Sequence, residues 1–222
     1  SGGKMFENIK WIGHASFCIE TKGIVIYIDP FRVSEQVAKE KADLILVTHA
    51  HFDHFSKEDI EKIKKQDTMI ITSTQTLPEG ENVRVAKPGF RTNFKGIEIE
   101  AVPAYNIKKE RLGFHPKGNE WVGYVVGTDF GRVYHAGDTD HIPEMKSLKN
   151  IELALLPIGG TYTMDVKEAI EATKSIEARH FAPMHYKNLL GLDESKNAEE
   201  EFKKNVKNAV IFSEVQKPTY SF

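Results

Sequence analysis

One run in this 222-residue chain limits its possible folds more than any other: Thr48-His49-Ala50-His51-Phe52-Asp53-His54, entered directly from Leu44-Ile45-Leu46-Val47. The aliphatic, β-branched tetrapeptide reads as a buried strand. In an extended chain, side chains two apart point to the same side, so His49 and His51 can reach one ion together. Asp53 and His54 fall where the strand becomes a turn and can point toward a second ion. Imidazole and carboxylate without thiolate suit zinc or a similar first-row dication. A polar turn that only faces solvent does not need ligands at these offsets. Low-complexity histidine tracts lie in tails, not at the end of a buried strand.

The rest of the composition bounds the setting. A chain of this length fits one domain and can bury about 70% of its surface without staples. Residues 4–222 are read as a single domain, and Ser1-Gly2-Gly3 as a cloning scar. Net charge is −2, with no long basic run, so a nucleic-acid or anionic-membrane partner is not expected. Cys18 is the only cysteine and sits in an apolar strand pattern, so a disulfide within the chain is impossible. No signal peptide or spanning apolar run is visible, and a cytoplasmic location is expected. The oligomeric state is not legible.

Strands are expected at Ser16–Glu20, Ile24–Ile28, Leu44–Val47, Met69–Thr72, Val83–Ala86, Gly96–Val102, Trp121–Val126 and Arg132–His135. Ser56 can cap a helix over Lys57–Lys65, with Asp59 completing a box-like pair. Asp165–Ile176 has helical periodicity, with Val166, Ala169, Ile170 and Thr173 on one face. Ile151–Leu156, His180–Pro183 and Val210–Val215 read as further strands and Ala198–Val206 as a helix. The pattern is α/β or α+β with a large sheet component.

His-x-His-x-Asp-His at positions 49–54 resembles the metal-binding signature of the metallo-β-lactamase superfamily. Tyr134-His135-Ala136-Gly137-Asp138-Thr139 resembles its later Gly-Asp segment, and Ala182-Pro183-Met184-His185-Tyr186 its closing segment. Trp11-Ile12-Gly13-His14-Ala15-Ser16-Phe17, Ile28-Asp29-Pro30-Phe31 and Leu156 to Met164 are similar to the branch of ascorbate-6-phosphate lactonase-like hydrolases. The resemblance implies a four-layer αββα sandwich with a metal site in a cleft at one edge of the sheets. It implies Asp138 as a carboxylate bridging two metals, His185 as the completing ligand of the second site, and Zn2+ (one or two ions), with Mn2+ or Fe as alternatives.

One departure concerns the third ligand of the first site, usually a His just after a middle strand. Asn106 stands about there, and the next His is His115, in Gly113-Phe114-His115-Pro116. Imidazole binds zinc-like ions far better than a neutral amide, so His115 is favoured, leaving Asn106 to contact substrate. Gly137 would let the backbone approach the metals. His14 reads equally as a residue holding a ligand and as a hydrogen-bonded core His. Tyr105, His141 and Tyr162 are candidate substrate contacts, while His135 reads as structural and His180, at the start of a strand, is assigned no role.

The expected function is a metal-dependent hydrolase. A metal-bound hydroxide, oriented by Asp53, would attack an ester, lactone or phosphoester of a small-molecule substrate. One alternative is a non-catalytic metal-binding protein. Another is a diiron redox protein of the same fold, disfavoured because such members carry Glu where His51 stands.

Overall fold

The computed structural model describes residues 5–222, so the scar reading of Ser1–Gly3 lies outside the described residues. The first sheet joins β1 (Ile9–Gly13), β2 (Ser16–Thr21), β3 (Ile24–Ile28), β4 (Ala42–Leu46), β5 (Lys64–Thr72) and β6 (Val83–Val85) in that order. The second joins β7 (Arg91–Phe94), β8 (Ile97–Pro103), β9 (Val122–Thr128), β10 (Gly131–His135), β11 (Ile151–Pro157) and β12 (Ala178–Met184). Each sheet begins antiparallel and ends parallel: β3 to β6 run together in the first, β10 to β12 in the second.

Alternation along the first sheet separates two cores. Phe17, Ile19, Ile26, Ile28, Leu44, Leu46 and Ile71 face the second sheet. Cys18, Tyr27, Ile45 and Ile70 face outward, where Ile60 and Ile63 of α1 (Lys57–Ile63) cover them. α2 (Val166–Thr173) and α3 (Lys187–Asn205) add Ala169, Ile170, Ala172, Ala198 and Phe202 to the larger core, completing the expected αββα order.

The structure corrects several boundaries. α1 stops at Ile63 because β5 begins at Lys64. Asp59 accepts from the Arg32 and Val33 amides and the Ser56 hydroxyl, so it ties α1 to the chain after β3 and forms no capping box. α2 is the helix with the box, built by Asp165 and Glu168, and it ends at Thr173. The strand expected at Val210–Val215 does not form. That segment instead crosses both sheet edges: Val210 N–H donates to Phe181 O of β12, and Val215 N–H to Trp11 O of β1. It blocks two edges that would otherwise offer unpaired backbone groups. β1, β7 and the first half of α3 were not expected. Gly191 breaks α3 at φ +75°.

Because both sheets end in parallel strands, the C-terminal ends of β3 and β4 and of β10 to β12 converge at one edge. In parallel sheets, ligand sites form outside the carboxyl ends of the strands. Asp29, His49, Asp138 and His185 all follow such ends.

Candidate metal centre

Asp29, fully buried at the end of β3, organises the turn that follows β4. Its Oδ1 accepts Thr48 N–H at 2.8 Å, and its Oδ2 accepts the Thr48 hydroxyl at 2.6 Å and lies 2.7 Å from His54 Nδ1. The Thr48 hydroxyl gives its only hydrogen to Asp29, so toward His49 Nδ1, at 2.9 Å, it can only accept. His49 and His54 therefore carry hydrogen on Nδ1 and turn Nε2 toward the cleft, as partners behind metal-binding imidazoles do. β4 ends at Leu46, so His49 and His51 lie in the turn and not on an extended strand. They still converge, with ring centroids 4.8 Å apart, because the amides of His54 and Phe55 both close on His51 O.

The second sheet supplies the remaining groups one connection at a time. His115 comes from the β8–β9 connection. Its N–H donates to Asn106 Oδ1 at 2.9 Å, and its Nδ1 lies 2.8 Å from the same oxygen. Asn106 Nδ2 donates to Asp140 Oδ1 and Tyr162 O, which fixes the amide's orientation and makes Oδ1 the acceptor. His115 thus also presents Nε2. Asp138 follows β10, and its Oδ2 lies 3.1 Å from His115 Nε2, 3.2 Å from His54 Nε2 and 3.5 Å from His49 Nε2. Its Oδ1 lies 3.2 Å from His185 Nε2. One carboxylate sits between imidazoles drawn from both halves of the molecule.

Two groups result, each with ligand atoms within 4.8 Å of one another: His49, His51, His115 and Asp138; and His14, Asp53, His54 and His185. His14 Nε2 is 2.7 Å from Asp53 Oδ2, and His14 O accepts His185 N–H. His14, Asp29 and His185 all hold left-handed backbone, with φ of 54°, 47° and 58°. Such strain in non-glycine residues gathers where surrounding structure enforces a functional geometry.

The electrostatics of the cluster suit a bound cation. His49 Nε2, His115 Nε2 and Asp138 Oδ1 are buried and make no hydrogen bond. His54 Nε2 and His185 Nε2 face each other at 3.2 Å. Burial, reinforced by His54, pushes His49 down to about 3, and burial with the His185 charge pushes His14 down to about 4. Burial opposes charge on His185 too, but the Asp138 carboxylate wins and raises it to about 9. Burial likewise opposes charge on His54, yet Asp138, Asp53 and Asp29 hold its pKa well above the usual imidazole range. Burial would raise the carboxyls of Asp53 and Asp138, but the neighbouring His charges hold both well below the usual carboxylate range. The Nε2 atoms of His54 and His185 both lie 3.2 to 3.5 Å from the carboxylates of Asp53 and Asp138, an arrangement that would suit a shared cation. The donor set, imidazole and carboxylate in two groups sharing one edge, fits first-row dications.

A family model described as a β-lactamase superfamily domain matches residues 8–185. The chain belongs to the metallo-β-lactamase superfamily. It is 40% identical to the UPF0173 metal-dependent hydrolase of Thermoplasma volcanium over 196 residues, covering 82% of this chain and 84% of that protein. It is 35% identical to the UPF0173 metal-dependent hydrolase of Methanopyrus kandleri, covering 93% and 94%. Among solved structures, a protein from Parabacteroides distasonis superimposes with a TM-score of 0.78 at 33% identity, covering 93% of this chain and 92% of that one.

Within this superfamily member, a cavity of about 350 Å³ opens over the cluster, with Asp53, His115, Asp138 and His185 at its floor. Three of the four candidate substrate contacts are not at it. The Tyr105 hydroxyl donates to Glu144. Asn106 is buried behind His115. His141 Nε2 pairs with Ser175 Oγ at 2.7 Å. Tyr162 does line the cavity. His135 is structural, placed between Ala15 O and Gly137 N–H. Gly137 has another reason than the one expected: at φ +63°, a Cβ there would meet Val122 O at 2.8 Å, so packing against the β9 backbone requires the glycine. Asp29 and His14 were the residues underrated from sequence. Their signals in the sequence are their place in the segments that carry the family resemblance and at turns just beyond strand ends.

Proposed function

We propose that the chain is a metal-dependent hydrolase holding up to two dications. His49, His51 and His115 would hold one, Asp53, His54 and His185 the other, and Asp138 would be shared. The observation that carries this reading is the position of Asp138, whose two oxygens face imidazoles of both groups at 3.1 to 3.5 Å. Bound there, Zn2+, Mn2+ or Fe would supply a water of lowered pKa and polarise the attacked oxygen. The chain's own groups do the positioning. Asp53 is tied to His14 on one side and lines the cavity on the other, where its carboxylate can accept a hydrogen bond from the attacking water and orient it. Asp29 and Asn106 fix the imidazole tautomers from behind. Ester, lactone and phosphoester substrates are all attacked this way, and the lactonase-like motifs favour the second.

The non-catalytic alternative rests on a missing third imidazole, and the position of His115 Nε2, 3.1 Å from Asp138 Oδ2, weighs against it. The diiron alternative remains disfavoured by His51. Elemental analysis of metal-loaded protein tests the reading: close to two equivalents per chain are expected, with turnover on a panel of lactones, aryl esters and phosphodiesters loaded separately with Zn, Mn or Fe. Stoichiometry near zero, unchanged by His51→Ala, would sink it.

A further inference from the structure

The wall of the cavity bears on the substrate class, an inference that rests on the hydrolytic reading of the same site. Above the polar floor, the lining side chains are Phe52, Phe114, Tyr162, Leu189 and Phe222. They arrive from five separate segments: the β4–α1 turn, the β8–β9 connection, the β11–α2 connection, the start of α3 and the chain's last described residue. Phe114 and Tyr162 meet edge to face at 4.7 Å, and Phe52 and Phe222 at 5.7 Å. Four aromatic rings around one opening remain open to solvent, Phe52 at 66% and Phe222 at 51%. Contiguous exposed apolar surface of this kind marks a ligand site.

Charge around the cavity agrees. None of the ten described residues that line it is Lys or Arg. Nearby cations are engaged elsewhere. Arg32 lies over Phe31 and Phe222 and donates to Ser221 O. Arg111 is sealed between Asp140 and Glu168. A phosphate group is ordinarily gripped by such cations, and this wall offers none; where α3 begins beside the cavity, it contributes the apolar Leu189 side chain.

We infer that the site takes an uncharged ester or lactone whose apolar acyl or alkyl arm lies against the aromatic wall, not a phosphorylated substrate. In the reaction the acyl C–O bond breaks. Water oxygen bonds to the acyl carbon, and a proton ends on the departing alkoxide oxygen, giving an acid and an alcohol, or one hydroxy acid from a lactone.

Two arms test this on metal-loaded protein. In the first, calorimetry measures binding of straight-chain alkanamides of two to eight carbons, with octyl phosphate as the charged comparison. Affinity should rise about threefold to fourfold per added methylene, with octanamide above octyl phosphate, and Phe114→Ser or Leu189→Ser should flatten that rise. In the second, kcat/KM is compared for 4-nitrophenyl esters of the same lengths and for bis-4-nitrophenyl phosphate, and the esters should rise with chain length and exceed the phosphodiester. Binding without chain-length dependence overturns the substrate class, whatever is turned over. A steep binding series with no turnover of any compound upholds the apolar ligand and overturns hydrolysis instead. A phosphodiester preferred over every ester overturns the class and leaves hydrolysis standing.

Discussion

The two sheets supply the candidate metal centre in opposite ways. The first contributes His49, His51, Asp53 and His54 from one turn, held by a single buried carboxylate, Asp29, that also receives the Thr48 amide and hydroxyl. The second contributes His115, Asp138 and His185 from three connections far apart in sequence. Their relative placement depends on the register of β9 to β12 and on a side-chain chain running His115, Asn106, Asp140, Arg111, Glu168. A local site is preorganised by one turn. A distributed one needs the whole half-domain to fold before any ligand has neighbours, and it is stabilised by hydrogen bonds that never touch the cavity.

The largest expected effect breaks the comparison at its centre. Asp138 faces two imidazoles from each sheet, His49 and His54 on one side and His115 and His185 on the other, so Asp138→Ala should remove affinity at both sites. The loss should exceed the 10- to 100-fold range seen when only an outer partner is lost, and turnover should disappear with it. Equilibrium dialysis with elemental analysis reads this directly. If one equivalent stays bound with activity intact, the sheets hold separate sites and the carboxylate is not shared.

The next effect isolates the second sheet. Asn106→Ala should weaken metal binding by about 10- to 100-fold, because His115 loses the acceptor for both its amide and its Nδ1. This reverses the expectation from sequence, in which Asn106 was left to contact substrate. Asn106→Asp keeps an oxygen toward His115 but sets its second oxygen against Asp140 Oδ1 and Tyr162 O, so it should restore only part of the affinity. KM on a small ester should change little in either variant once metal is saturating. A KM defect with unchanged metal affinity would return Asn106 to the substrate.

What could be read in the sequence follows the same division. The first sheet's ligands were legible because strand, turn and four donor side chains are contiguous, so local geometry alone brings them together. Asp138 and His185 were legible only through family resemblance, since no periodicity links residues 138 and 185 to residue 49. Ligand chemistry favours His115 over Asn106 from the sequence alone, and the fold adds what the sequence lacks: the β8–β9 connection turns back so that the amide stands behind the imidazole. Asp29 stands in a segment that resembles the family, yet its role is not legible there, because the Thr48 and His54 groups it holds lie some twenty residues away. The strand misread at Val210–Val215 is apolar for a real reason, but its surface covers two sheet edges and does not extend one. β7 was missed because Arg91-Thr92-Asn93-Phe94, mostly exposed at a sheet edge, lacks the apolar alternation that marks a half-buried strand.

The smallest effect probes how far support for the second sheet reaches. Glu168 receives both terminal nitrogens of Arg111. Chiefly through that bond, its carboxyl is held below the usual value, with burial opposing. A carboxyl whose pKa is depressed on folding stabilises the fold above its unfolded pKa, about 4.3, and loses that contribution as pH falls through the folded value. Glu168→Gln should therefore cost up to about 1 kcal/mol at pH 7, since the pair is partly exposed. The gap from wild type should narrow as pH is lowered from 7 to 3. Urea unfolding of both metal-free proteins at the two pH values measures it. Because Arg111 keeps Asp140, which itself accepts the Ile107 and Lys108 amides as well as Asn106, metal affinity should fall by less than the Asn106→Ala variant loses. A gap of equal size at both pH values would mean that the Gln side chain packs badly and that charge is not the cause. A metal defect as large as that of Asn106→Ala would mean that the second-sheet ligands depend on the entire chain of contacts out to α2.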